Sequence, residues 1–108
     1  MSIPRRVRER DRMSIIAEIL LVAQDPALKT QIMYRANLSF AQLMVYLKFM
    51  TELGFLETIR DENGEPKAYQ ATKKGLHYLK AYKEVRALLQ KQPVNEALVY
   101  PKRRLKLQ

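Results

Sequence analysis

The chain has 108 residues, 47% of them apolar and 8% aromatic, which is enough for one modest core in a single domain. Its net charge of +9 and its pI near 10.0 point to a polyanionic partner such as nucleic acid. The absence of cysteine excludes disulfides and thiolate zinc sites, and no secretory signal or run of about 18 apolar residues is present, so a cytoplasmic protein without a membrane partner is expected.

The chain opens on a basic arm, residues 1–12, in which Arg5, Arg6, Arg8, Arg10 and Arg12 outweigh Glu9 and Asp11 to leave +3. The run "MSIIAEILLVAQ" then places Ile16, Ile19, Leu20 and Ala23 on one helical face, with Asp11 or Ser14 as N-cap and Asp25-Pro26 as the stop. In "LKTQIMYRA" the residues Leu28, Ile32 and Ala36 recur at spacing four. They predict a short second helix that ends at Asn37, a residue that tolerates the left-handed conformation.

Ser39 opens a third helix, with Gln42 three residues on as a capping-box partner and Gly54 as the stop. At 100° per residue, Phe40, Leu43, Leu47 and Met50 share its core face, with Tyr46 and Leu53 at the edge. The opposite face carries Ala41, Gln42, Val45, Lys48, Phe49 and Glu52. "FLETIR" and "KAYQA" flank "DENGEP", whose Asn63-Gly64 predicts a hairpin turn with positive φ.

Thr72 caps a last helix that ends by Pro93, and within it Tyr78, Tyr82, Val85 and Leu89 form a heptad-like seam about two turns long. A seam so short serves either packing on its own domain or a dimer contact. The chain closes on a proline-bounded basic tail, residues 92–108. There "PVNEALVYP" forms an apolar strap, and Lys102, Arg103, Arg104 and Lys106 add +4. Only +2 is left for residues 13–101.

Helix, helix, turn, helix, hairpin, helix is the order of a winged helix-turn-helix domain, an α+β fold that is mostly α, here over residues 13–91. "TQIMYRANLSFAQLMVYLKFM", "LGFLE" and "YQATKKGLHYL" resemble the small archaeal winged-helix DNA-binding proteins, including the ten-kilodalton chromatin protein of Sulfolobales and related transcription regulators. The resemblance runs from about Met13 to Leu89, and "IMYRANLS", Tyr46-Leu47 and "TKKG" are its most specific pieces. It implies DNA binding through the third helix and the wing, and a homodimer built on the C-terminal helix.

Two features depart from that family. Met44 and Val45 stand where polar or basic residues are common in it, and the wing "RDENGEPK" has net charge −1. Base edges ask for Arg, Lys, Asn or Gln, yet the outer face of the third helix offers one amide and one cation. Two readings follow. In the first, a dimeric DNA-binding regulator or chromatin protein draws its affinity from the basic arms, with limited groove contacts from Ser39, Gln42, Tyr46 and Lys48. In the second, the tails run along RNA while Val45 and Phe49 dock on a ribonucleoprotein or on transcription machinery.

The lone His77 has no ligand neighbours at metal spacing, so a packing role is expected and no metal or cofactor. No glycine-rich phosphate loop and no nucleophile–base pairing is present, so no enzyme is expected either. Asn37-Leu38-Ser39 matches a glycosylation sequon but sits in the turn before the third helix, where a structural role is expected.

Overall fold

A computed structural model describes residues 11–90. In chain order these form α1 (Arg12–Val22), β1 (Ala27–Leu28), α2 (Lys29–Arg35), α3 (Phe40–Glu52), β2 (Leu56–Arg60), β3 (Pro66–Ala71) and α4 (Lys73–Leu89). The fold is mostly helical, with one antiparallel sheet in the order β1-β3-β2. The basic arm through Arg10, the strap and the basic tail lie outside the described residues.

Strand β1 is the element that the sequence pattern hides, because two residues are too few to show a period. Ala27 pairs with Tyr69 and Leu28 with Ala68. Side chains alternate across a strand, so Ala27 points inward and is buried while Leu28 points outward. Leu28 is therefore not on the apolar face of α2. Instead it precedes that helix, with its N–H donating to Gln31 Oε1 at 2.8 Å.

The helix ends follow side-chain chemistry. Asp11 caps α1, its Oδ1 accepting from Ser14 N–H at 2.8 Å, and Thr72 caps α4 by accepting from Gly75 N–H at 3.0 Å. Asn37 takes φ 56 in the turn between α2 and α3. At the end of α3, Gly54 takes φ 83, its N–H bonds to Thr51 O, and Phe55 N–H bonds to Met50 O at 2.8 Å. Those two bonds form a Schellman motif, which satisfies carbonyls that the helix leaves free.

Residues Ile15, Ile16, Ala17, Ile19 and Leu20 of α1 are buried almost all round, so α1 is the central helix. Ile32, Leu43, Leu47, Met50, Leu56, Tyr69 and Leu79 close around it. Each large aliphatic side chain so removed from water contributes about 1.5–3 kcal/mol. Phe40 departs from the expected core face and is 62% exposed. It is the first residue of α3, and since Cβ bonds tilt toward a helix N-terminus its ring projects past the first turn, beyond the neighbouring helices. Leu53, expected at the edge, is 38% exposed.

The β2–β3 turn uses its glycine alone. Gly64 takes φ 80, Gly64 N–H donates to Asp61 O, and Asp61 N–H donates to Glu65 O at 2.9 Å, so a tight turn is followed by a left-handed residue. Among the described non-glycine residues only Asn37 has positive φ, so Asn63 does not share that role. Helix α4 then returns across α1 with Gly75 buried against the carbonyl of Phe55 and the side chain of Leu20. No helix among the described residues is long and apolar enough to cross a membrane.

Candidate nucleic-acid interface

Helix α3 is presented with its N-terminus uncovered. Ser39 Oγ accepts from Gln42 N–H at 3.1 Å, and Gln42 Oε1 accepts from Ser39 N–H at 2.9 Å. Two of the four residues expected to touch DNA from this helix are thus bonded to one another as a capping box. Gln42 keeps its amide NH₂ as a donor, because the box occupies only the oxygen. Lys48 is exposed, whereas Tyr46 is half-buried against the core.

The rest of the outer face of α3 is apolar. Val45 is 66% exposed, and Met44 and Phe49 are exposed beside it. Arg12, the first residue of α1, joins Val45, Tyr46 and Phe49 in lining an open cleft of about 360 Å³. Of the five arm arginines it is the one among the described residues, and it stands at the border of the apolar surface. Arg5, Arg6, Arg8, Arg10, Lys102, Arg103, Arg104 and Lys106 lie outside the described residues.

The wing offers little positive charge. Arg60 Nη1 donates to Gly64 O at 2.8 Å, which turns the guanidinium onto the hairpin's own tip. Asp61 Oδ1 accepts from Asn63 N–H at 2.8 Å and Glu65 N–H at 3.0 Å, so the carboxylate braces the turn. Glu62 and Glu65 are exposed.

The seam of α4 divides in two. Tyr78 lies tilted at 5.2 Å from the Phe55 ring and stacks at 6.3 Å on Tyr82, and its hydroxyl donates to Met13 O at 2.8 Å, so both tyrosines pack on their own domain. Burial raises the Tyr78 phenol above its ordinary pKa, with smaller upward contributions from Tyr82 and Asp11. Val85 and Leu89 lie beyond that packing, 50% and 78% exposed, and every residue from Lys83 to Gln90 is exposed.

Charge is distributed by element in a way that halves and tails of the sequence conceal. Helix α4 holds Lys73, Lys74, Lys80, Lys83 and Arg86 against Glu84, or +4, whereas residues 11–72 carry −2. Lys73 and Lys74 are visible in the sequence as part of "TKKG", but Lys80, Lys83 and Arg86 belong to no motif. Counting charge helix by helix is the signal that finds them.

A winged helix-turn-helix family model matches residues 9–90. No curated protein matches the chain. Among solved structures the chain is similar to Sso10a-2, a DNA-binding protein from Sulfolobus solfataricus, at 22% identity and TM-score 0.60, covering 77% of this chain and 100% of that one. It is also similar to the transcriptional regulator BldR from Sulfolobus solfataricus, at 19% identity and TM-score 0.59, covering 79% and 67%. ZitR from Lactococcus lactis is a third, at 23% identity and TM-score 0.60, and 82% of this chain spans 64% of its length. The element order, the α3 presentation and the hairpin agree with the family match over residues 9–90, and the chain belongs to the winged helix-turn-helix family.

Proposed function

We propose that the chain is a DNA-binding transcription regulator or chromatin protein that works as a homodimer in the cytoplasm, with basic segments 1–12 and 92–108 flanking the winged-helix domain. The observation that carries this reading is the presentation of α3, with a capped and uncovered N-terminus and a C-terminal end that leads into a hairpin wing, in a winged helix-turn-helix chain. Gln42 and Lys48 offer one amide donor and one cation to a groove, and the arms supply most of the phosphate contacts. The similarity to Sso10a-2 and BldR supports DNA as the partner.

Dimerisation is supported by the free end of α4. The last two turns of α4 bury no side chain in their own domain, a short helical end of this kind is marginal in water, and Val85 and Leu89 lie exposed on it. A second copy packed on that end covers both residues and sets two α3 helices about a two-fold axis, as a palindromic site requires. Fluorescence anisotropy on duplex DNA, paired with light scattering at micromolar concentration, tests both parts. Duplex binding by a particle of twice 12.7 kDa is expected, with a monomer for Val85→Asp combined with Leu89→Asp. A wild type that stays monomeric refutes the dimer, and one that ignores duplex DNA refutes the reading.

A second reading is favoured by the apolar outer face of α3, where Val45 and Phe49 are 66% and 37% exposed. In it the domain docks on a ribonucleoprotein or on transcription machinery while the tails follow RNA. The nucleic acid that co-purifies after mild lysis separates the two, genomic DNA for the first and ribosomal RNA for the second.

A further inference from the structure

The domain's positive charge is not on its reader elements. Residues 11–72, which include α3 and the wing, sum to −2, and α4 alone carries +4. A polyanion approaching the domain is steered toward the positive element. At 100° per residue, the core stripe of α4 runs through Gly75, Leu79 and Tyr82, and Lys73, His77 and Lys80 fall on the opposite side. All three are exposed.

Two open clefts share Lys73 and His77, so the surface is continuous. One, about 520 Å³, lies between them and Phe55, and the other, about 370 Å³, runs on through Lys80 to Glu84, whose carboxylate bounds the cationic stretch. Lys74 closes one edge, its Nζ donating to Leu53 O at 2.7 Å and lying 5.4 Å from the Phe55 ring centroid. From Lys73 to Lys80 is two helical turns, about 10.5 Å of rise, so the two ammonium groups are spaced to meet two separate phosphates of one strand.

The position of this surface matters as much as its charge. Thr72 Oγ1 donates to Gly54 O and Lys74 to Leu53 O, so α4 starts against the C-terminal end of α3. Ser39 is one helix away, about 20 Å for thirteen residues, and the wing tip is one strand away, about 17 Å for five. A duplex held by the N-terminus of α3 and the wing therefore leaves this surface free.

We propose that the outer face of α4, centred on Lys73, His77 and Lys80, is a second contact surface for a nucleic-acid backbone, which lets one domain hold two duplex segments at once. This rests on the DNA-binding reading above. The contact is to phosphate and is therefore indifferent to sequence, unlike contacts from α3.

The test uses the full chain with Lys73→Gln combined with Lys80→Gln, and Lys73→Arg combined with Lys80→Arg as rescue. Titrations of a labelled duplex of about 20 base pairs onto protein already holding an immobilised duplex give the slope of log affinity against log salt for the second contact. The glutamine pair is expected to lower that slope by about 1.8, at about 0.9 per phosphate contact, which shrinks the affinity ratio between 50 and 200 mM salt by about twelvefold. The arginine pair restores it. In a capture assay, wild type on an immobilised duplex retains a second, labelled duplex, and the glutamine pair loses the second while keeping the first.

An unchanged slope and undiminished capture of the second duplex by a glutamine pair with wild-type circular dichroism overturn the proposal, and leave the DNA-binding reading standing. So does an effect of that pair on binding to vesicles containing 30% phosphatidylserine with none on DNA. A wild type that binds no duplex overturns both.

Discussion

Gly75→Ala is expected to destabilise the domain, although alanine is the better helix former by about 1 kcal/mol at an exposed position. A Cβ at residue 75 would stand 2.3 Å from the carbonyl oxygen of Phe55, 2.8 Å from Leu20 Cδ2 and 3.1 Å from the Phe55 carbonyl carbon. Carbon contacts are favourable near 3.5–4.0 Å, so α4 must retreat by about 1 Å from the start of β2. A side chain can rotate away, but the Phe55 carbonyl is backbone and is also the acceptor for Thr72 N–H at 3.0 Å. Overpacking costs about 1–3 kcal/mol, and a collision with backbone belongs at the upper end. Set against the propensity gain, the net loss is about 2 kcal/mol.

For a domain of this size each kcal/mol moves Tm by about 4–8 °C, so Tm should fall by roughly 8–16 °C. Thermal unfolding of the full chain followed by circular dichroism at 222 nm reads this directly. A Tm equal to or above that of wild type would refute the reasoning, because it would mean that α4 is not seated on Phe55 at Gly75.

Removing residues 102–108 should lower the slope of log affinity against log salt on duplex DNA by roughly 2–4 units if the four cations touch phosphates, and an unchanged slope would show that this tail is not an anchor. Gln42→Ala should cost stability as well as binding, about 1 kcal/mol through loss of its side of the capping box, while Lys48→Ala should weaken binding to all sequences alike. A Gln42→Ala, Lys48→Ala double variant with wild-type footprints would remove direct readout by α3. Stability should be flat to about pH 10 and fall above it, because burial raises Tyr69 and Tyr78 in the folded state and the protonated phenol is the form the fold favours. Urea midpoints between pH 8 and 11 test this, and Tyr78→Phe should remove its share of the alkaline loss along with about 1 kcal/mol from the bond to Met13 O.

The boundaries of this domain are written locally, and so they were legible in the sequence. Asp11, Ser39 and Thr72 cap helices with their own side chains, and Asn37 and Gly54 supply the positive φ that a helix end requires. The interior of α1 was legible in part, since Ile16, Ile19, Leu20 and Ala23 recur at the helical period, whereas Ile15 and Ala17 are buried off that face. What tertiary structure decided is non-local. Strand β1 exists because β3 pairs with Ala27 and Leu28 some forty residues away, a partner that two residues cannot announce. Phe40 has the spacing of a core residue, but whether a face is covered depends on where neighbouring helices end. Tyr78 and Tyr82 share a stripe with Val85 and Leu89, and only the length of α1 and the position of Phe55 determine which half is packed and which is left exposed. Periodicity names a face, and only the assembled domain decides what lies against it.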